Sequence, residues 1–274
     1  MSEDTTERQR REIAYHQAHF QQKHAARLAQ PFSYDVLDNP KRNWWNAYWQ
    51  MFSYLKTCDL EGKTALVVGC GEGDDALRLA RLGADVYAFD LSHEAILLAR
   101  ALAEREKLSV HFNEMPAERL NYTDSFFDLV LARDILHHVE IAPTVSELVR
   151  VSKPGALWVI NEIYSHSVTD VVRRSRLVDG FLYPLLQKYI YGPGKPYITE
   201  DERKLSERDI AKITRAMPRR ELSKHFNFLV TRLIPDRWPL VAQVDRALLI
   251  CLASLGRFVA GRIVIVGRIA KRRL

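Results

Sequence analysis

Cysteine is scarce in this chain: Cys58, Cys70 and Cys251 are the three among 274 residues, far apart and without a CxxC pair. That spacing gives neither a disulfide framework nor a thiolate zinc site, and it suits a reducing compartment. Long apolar runs are missing too. The longest, Ala247 to Gly256 with Ser254 inside it, lies between Arg246 and Arg257; it is about half of what a membrane span needs and is expected to form a buried helix. Residues Ser2 to Arg11 are polar, with no apolar stretch, so a secretory leader is not expected and the protein is placed in the cytoplasm. Internal repeats and low-complexity segments are absent from the sequence.

What is present is an ordinary globular composition, enough to bury an α/β core. Lys and Arg (40) outnumber Asp and Glu (34). The excess raises nucleic acid or an anionic membrane as partners, although net charge alone selects neither.

Two N-terminal helices are expected. The first covers 5–30, rich in Gln, Ala and Arg and stopped by Pro31; the second covers 41–57, where Trp45, Tyr48, Trp49, Phe52 and Leu55 recur at helical spacing beside Trp44. Beyond Leu60 the pattern alternates: strand 64–69, helix 73–82, strand 85–90, helix 92–106, strand 109–114, strand 127–133, helix 142–151 and strand 156–163. Strands alternating with helices imply a mostly parallel, doubly wound Rossmann-like sheet. The rhythm then stops in a basic, aromatic insertion over 165–222, which ends with the capping-box pattern Ser206-Glu-Arg-Asp209. Strand-like runs at 226–234 and 262–269, with a helix between them, complete seven strands and make the last antiparallel. The chain divides accordingly into an N-terminal helical lid (1–59), a core (60–164), an acceptor-side insertion (165–222) and closing elements (223–274).

The most informative stretch is Ala65-Leu-Val-Val-Gly-Cys-Gly-Glu-Gly-Asp74, followed by Val86-Tyr-Ala-Phe-Asp90. Gly69, Gly71 and Gly73 leave a sharp turn free of Cβ atoms, and an acid about 20 residues on can hold two ribose hydroxyls. With Phe89-Asp-Leu-Ser92, Ala117 to Asp128, Arg133-Asp-Ile-Leu-His-His-Val139 and Ser152-Lys-Pro-Gly155, the order of motifs resembles the class I S-adenosylmethionine-dependent methyltransferases, of the small-molecule type related to ubiquinone and menaquinone biosynthesis. An NAD(P) enzyme is disfavoured because the third glycine follows the second after two residues rather than three.

The resemblance implies S-adenosyl-L-methionine as cofactor and S-adenosyl-L-homocysteine as product. Gly69, Cys70, Gly71 and Gly73 would surround the methionine part, Asp90 would hold the ribose and Leu91 would flank the adenine. Pro116, Ala117 and Glu118 would contact the adenine edge, and Ala132 and Arg133 would line the sulfonium end. Two departures stand out. Val67 occupies the place of the family's acid before the first glycine, which leaves Glu72 or Asp74 to substitute, and Pro116 replaces a second acid.

His138 is the first candidate for acceptor contact or general base, with His137 and Glu162 next and His166 and His16 as further candidates. A metal is not expected. The sequence after the fourth strand, Ala132-Arg-Asp-Ile135, is not the Asn/Asp-Pro-Pro-aromatic pattern of base-methylating enzymes, so nucleic acid is not the expected partner. Phe181, Tyr183, Tyr189, Tyr191 and Tyr197 suggest an aromatic acceptor cavity. The expected activity is methyl transfer to a small molecule, at oxygen first and nitrogen or carbon next. A membrane-surface enzyme for a lipid or glycan precursor and a non-catalytic S-adenosylmethionine-binding regulator are the alternatives.

Overall fold

The computed structural model describes residues 24–183, 203–230 and 238–270, with residues 7, 10, 11 and 189. Its centre is one seven-stranded sheet: β1 (Thr64–Val68), β2 (Asp85–Asp90), β3 (Val110–Glu114), β4 (Phe127–Arg133), β5 (Ser152–Ile163), β6 (Arg219–Phe226) and β7 (Arg262–Arg268), in the order β3-β2-β1-β4-β5-β7-β6. Pairs β1·β2, β1·β4, β2·β3 and β4·β5 are parallel, and β7 lies antiparallel to both β5 and β6. The last strand is thus inserted between β5 and β6 and is the one reversed strand of the sheet. The expected fold class holds.

Helices α1 (Ala47–Leu55), α2 (Asp74–Arg81) and α3 (His93–Glu106) cover one face; α4 (Ile141–Val151) covers the other. The pleat sends alternate residues to the two sides. Ala65 and Val67 of β1, Leu129 and Leu131 of β4, and Val264 and Val266 of β7 meet α1 to α3, whereas Leu66, Val68, Val130, Ala132, Ile263 and Ile265 meet the α4 side. Met51, Phe52 and Leu55 of the aromatic helix are completely buried, each contributing ~1.5–3 kcal/mol relative to exposure. Asn46 caps that helix by accepting from the Tyr48 and Trp49 amides.

Past β5 come α5 (Ser167–Arg173), α6 (Glu207–Arg215) and α7 (Pro239–Cys251). The expected capping box at α6 is present, with Ser206 and Asp209 each accepting from the other's amide. Two expectations need correction. The late strand foreseen at 226–234 is in part outside the described residues, at 231–234, and the sixth strand runs over Arg219–Phe226. Its RRELSKHF sequence is charged because β6 is an edge strand with one neighbour, and an apolar-run criterion overlooks such strands. The stretch around 247–256 is not a buried helix: Leu248, Ile250 and Leu255 are 42%, 55% and 61% exposed. Most of the first expected helix, with His16, lies outside the described residues, and residues 24–29 are helical.

Candidate functional site

β1 delivers the chain into the glycine turn at the carboxyl edge of the sheet. Gly69, Gly71 and Gly73 have φ of +59°, +50° and +85°, the left-handed region that glycine tolerates without strain. A Cβ on Gly69 would stand 2.4 Å from Cγ1 of Ile135, and one on Gly73 would stand 2.9 Å from Cβ of Ala99. The turn is therefore pressed between the exit of β4 and helix α3, with no room for a side chain at either position. Cys70 is buried and donates its amide to the Phe89 carbonyl at 2.8 Å. Burial, and then the nearby Asp90, push its thiol well above the ordinary range, which disfavours the thiolate.

Asp90 ends β2. Its Oδ2 accepts the Gly71 amide at 2.8 Å and its Oδ1 accepts the Ser92 amide at 2.9 Å. The carboxylate is fixed against the turn, and each oxygen retains a lone pair for a further donor. Leu91 follows, half-buried; Pro116, Ala117 and Glu118 follow β3, with Ala117 buried and the other two half-buried. Glu118 accepts the Glu140 amide at 3.0 Å. A strapped left-handed turn beside a pre-oriented carboxylate fits the methionine and ribose parts of S-adenosylmethionine.

An ion-pair network that the sequence did not reveal runs behind the turn. Arg27 donates to Glu72 and to Asp74, both at 2.7 Å. The two acids named as substitutes for the one absent at Val67 are thus both paired with Arg27. Asp75, buried, accepts from Tyr48 Oη at 2.9 Å and from Arg133 Nε at 2.6 Å, and Arg78 donates to Tyr48 Oη at 2.8 Å. Burial opposes the Arg133 charge, but Asp75 and Asp134 outweigh it and raise its pKa. Arg133 thus ties β4 to α2 and to the aromatic helix. Ala132 points to the opposite side, among the α4-side core residues. The signal in the sequence was the second acid of the Asp74-Asp75 pair, set in the first turn of α2 where a helix N-terminus favours negative charge.

The second cluster lies at the ends of β4 and β5. Glu162 is completely buried; Oε1 accepts the Ile135 and Leu136 amides at 2.7 Å, and Oε2 is 2.7 Å from Nδ1 of His137. It holds the single turn Leu136–His138 in place. His137 is buried with it, and the half-buried His138 ring lies 4.1 Å from the His137 ring. Asp134, at φ +53°, pairs with Arg262 at 2.7 Å and Arg133 at 3.2 Å. Burial alone would raise its pKa, but these two guanidinium groups hold it below the ordinary carboxyl value. Asp134, His137 and Glu162 offer ligand atoms within 4.8 Å of one another. Both Glu162 oxygens are already committed, however, and two arginines occupy the positive side of Asp134.

Other candidates disperse. His166 caps α5 by accepting the Val168 amide at 3.3 Å, with its ring against Phe258. Phe181 and Tyr189 are 61% and 45% exposed, so they do not line a buried aromatic cavity; Tyr191 and Tyr197 lie outside the described residues.

With this geometry in hand, the comparisons with known proteins agree. Residues 66–160 match the model of the methyltransferase domain family. The ubiquinone biosynthesis O-methyltransferase of Methylocella silvestris is 40% identical over 99 residues, which is 36% of this chain and 39% of that protein. The enzyme of the same name from Roseobacter denitrificans is 35% identical over 106 residues, 38% of this chain and 42% of that protein. The chain thus spans about two-fifths of the length of these relatives. Among solved structures, the [4+2]-cyclase SpnF matches with a TM-score of 0.57 over 97% of this chain and 96% of that one, at 19% identity, a likeness of fold. Over residues 66–160 the chain is similar to the methyltransferase domain, and this likeness supports S-adenosyl-L-methionine as the cofactor.

Proposed function

We propose that this protein transfers the methyl group of S-adenosylmethionine to an oxygen atom of a small-molecule acceptor, with nitrogen or carbon as the next acceptor atoms. The observation that carries this reading is the fixed pair of glycine turn and Asp90 at one end of the sheet, with His138 standing beyond it at the exit of β4. Gly69, Cys70, Gly71 and Gly73 wrap the methionine part and Asp90 holds the ribose hydroxyls. Leu91 flanks the adenine, whose edge meets Pro116, Ala117 and Glu118. Ala132 and Arg133 close the sulfonium end. The similarity to ubiquinone biosynthesis O-methyltransferases supports an acceptor in cofactor metabolism.

The cofactor supplies a methyl carbon already activated by a sulfonium leaving group. What remains for the protein is to align the acceptor, exclude water and take a proton from a hydroxyl. Alignment can contribute up to ~7–11 kcal/mol, and a general base adds about 10²–10⁴-fold. His138 takes the acceptor proton, while His137 and Glu162 position the turn that carries it. Calorimetry with S-adenosylhomocysteine, followed by methyl release over a hydroxylated metabolite panel, tests the reading. His138→Ala should hold the cofactor affinity within about twofold and lower turnover by about 100-fold. Unchanged turnover removes His138 as base. Cofactor binding without turnover on any acceptor favours the regulator instead.

A second reading, collection of the acceptor at a membrane surface, is favoured by helix α7. Its inward residues include Asp245 and Arg246, both buried, whereas Leu240, Val244 and Leu248 form an outward stripe that is 77%, 60% and 42% exposed. Ala242 and Leu249 are buried as well, so the helix carries apolar residues on both its inward and its outward side, unlike the usual amphipathic order. Helix α5 adds Val168, Val171 and Val172, 61–73% exposed, and touches the segment after α7 through Thr169 Oγ1, which donates to the Phe258 carbonyl at 2.8 Å. No single helix among the described residues is long and apolar enough to cross a membrane, so the contact would lie in the interface. Flotation with phosphatidylglycerol vesicles should carry the protein, and Leu240→Asp with Val244→Asp should release it. Equal flotation of wild type and variant rejects this reading.

A further inference from the structure

The sheet register places four side-chain positions in one row on the face covered by α1. Arg133 of β4 pairs with Asn161 of β5, Asn161 with Val264 of β7, and Val264 with Lys224 of β6. Three strand spacings of about 4.8 Å put Lys224 roughly 14 Å from Arg133, measured between Cα atoms. One pleat further on, Arg262 of β7 pairs with Phe226 of β6, and the Arg246 guanidinium of α7 lies 4.3 Å from the Phe226 ring centre. Cations therefore recur along the carboxyl edge of the sheet, from the proposed methyl-donor end to the β6 edge.

Their counter-charges do not recur. Arg133 faces Asp75 and Asp134, and Arg262 faces Asp134. Among the described residues, no carboxylate pairs with Lys224 or Arg246. Lys224 Nζ donates to Gln50 Oε1 of the aromatic helix at 2.8 Å. Arg246 donates Nη1 to the His225 carbonyl at 2.9 Å, and its buried Nε has no partner. The acid beside it in sequence, Asp245, is engaged by the Phe228 and Leu229 amides at 2.9 and 2.6 Å; its charge opposes the effect of burial on Arg246 but does not outweigh it. Removing a guanidinium and an ammonium from water without a counter-ion is unfavourable. The pKa values respond in that sense: burial first, then Arg246, lowers both Lys224 and His225. An anion placed between Lys224 and Arg246 would relieve the imbalance.

We infer that Lys224 and Arg246 form an oxyanion-recognising wall of the acceptor site, so that the acceptor carries a carboxylate or phosphate at the end remote from the reacting hydroxyl. Gln50 of α1 closes over the anionic end. A planar guanidinium and a point-like ammonium together can hold either anion. The inference rests on the proposed methyl transfer for its biological meaning, but its test does not require turnover.

The test is calorimetric titration of the full chain, loaded with S-adenosylhomocysteine, using benzoate, phenyl phosphate and benzamide as probes. At least one anion should bind about tenfold or more tightly than the neutral amide, and the stronger of the two names the group. Lys224→Gln should reduce that preference to within about twofold, and Lys224→Arg should preserve it. Arg246→Gln should act in the same direction, and if it fails to fold, the Lys224 pair decides. S-adenosylhomocysteine affinity is read in the same experiment, so loss of cofactor binding would count against the methyltransferase reading and loss of anion preference against this one. Equal or undetectable binding of all three probes by the wild type, or an unchanged preference in Lys224→Gln, overturns the inference.

Discussion

The two halves of the sheet differ in how their charges are satisfied. On the cofactor side, around β1, β2 and the exit of β4, nearly every polar group named above has a partner inside the protein: Asp90 holds two amides, Asp75 holds Tyr48 and Arg133, and Arg27 bridges Glu72 and Asp74. On the proposed acceptor side, around β6 and α7, Lys224 and Arg246 have no ion-pair partner among the described residues, and Leu240, Val244 and Leu248 of α7 are exposed. The contrast follows from what each half must do. A cofactor of constant shape rewards a site organised in advance, because pre-oriented groups need no rearrangement when the ligand arrives. In the proposed acceptor half, Lys224, Arg246 and the exposed face of α7 are the groups left for an acceptor or a surface to meet.

This comparison can be broken at several points. The largest effect is expected at the proposed cofactor side: Asp90→Ala removes the acceptor of two amides and the proposed acceptor of the ribose hydroxyls, and should weaken S-adenosylhomocysteine binding by about 100-fold or more, since hydrogen bonds to a charged group contribute ~1.5–3 kcal/mol each. Near-normal affinity by calorimetry would dissolve the idea that this half is organised around Asp90. At the seam between the halves, Glu162→Ala leaves two buried amides and His137 without their acceptor. A loss of ~3–5 kcal/mol of unfolding free energy is expected, measurable by urea denaturation; a variant within ~1 kcal/mol of wild type would mean that water replaces the carboxylate.

The smallest effect concerns pH on the acceptor side. His225 is half-buried between strand and helix, its ring facing Tyr164 at 5.6 Å, and burial, Arg246 and Arg257 lower its pKa from 6.5. Because the folded value lies below the unfolded one, the unfolded chain binds the proton first. The contribution of His225 is present above about pH 6.5 and is lost as the pH falls through the depressed folded value. His225→Asn should therefore flatten the decline in melting temperature between pH 7 and pH 5, by a few degrees at most. An unaltered pH profile would show that the local cations do not act on this ring.

Much of the fold was legible in the sequence, for reasons that differ by element. β1, β2 and β4 announce themselves because a strand buried on both faces must be a continuous apolar run, as in Leu66-Val-Val68 and Leu129-Val-Leu131. The capping box at Ser206 was equally plain, since it is a local exchange of two hydrogen bonds. β6 escaped because an edge strand tolerates Arg, Glu and Lys. Helix α7 was misjudged because hydrophobicity in a sequence states what a residue prefers and not which side of its helix meets the core.

The site shows the same division. Glycines at alternate positions and an acid at the end of the next strand are constraints on a single short turn, and the sequence by itself determined that this turn would bend left-handed, the feature on which the proposed cofactor site rests. Pairing of Arg133 with Asp75, closure of Glu162 on His137, and the row from Arg133 to Lys224 join residues 25 to 91 positions apart. Only the tertiary structure decided these, because strand order and register, set by the burial of both sheet faces, determine which distant charges become neighbours and which are left without a partner.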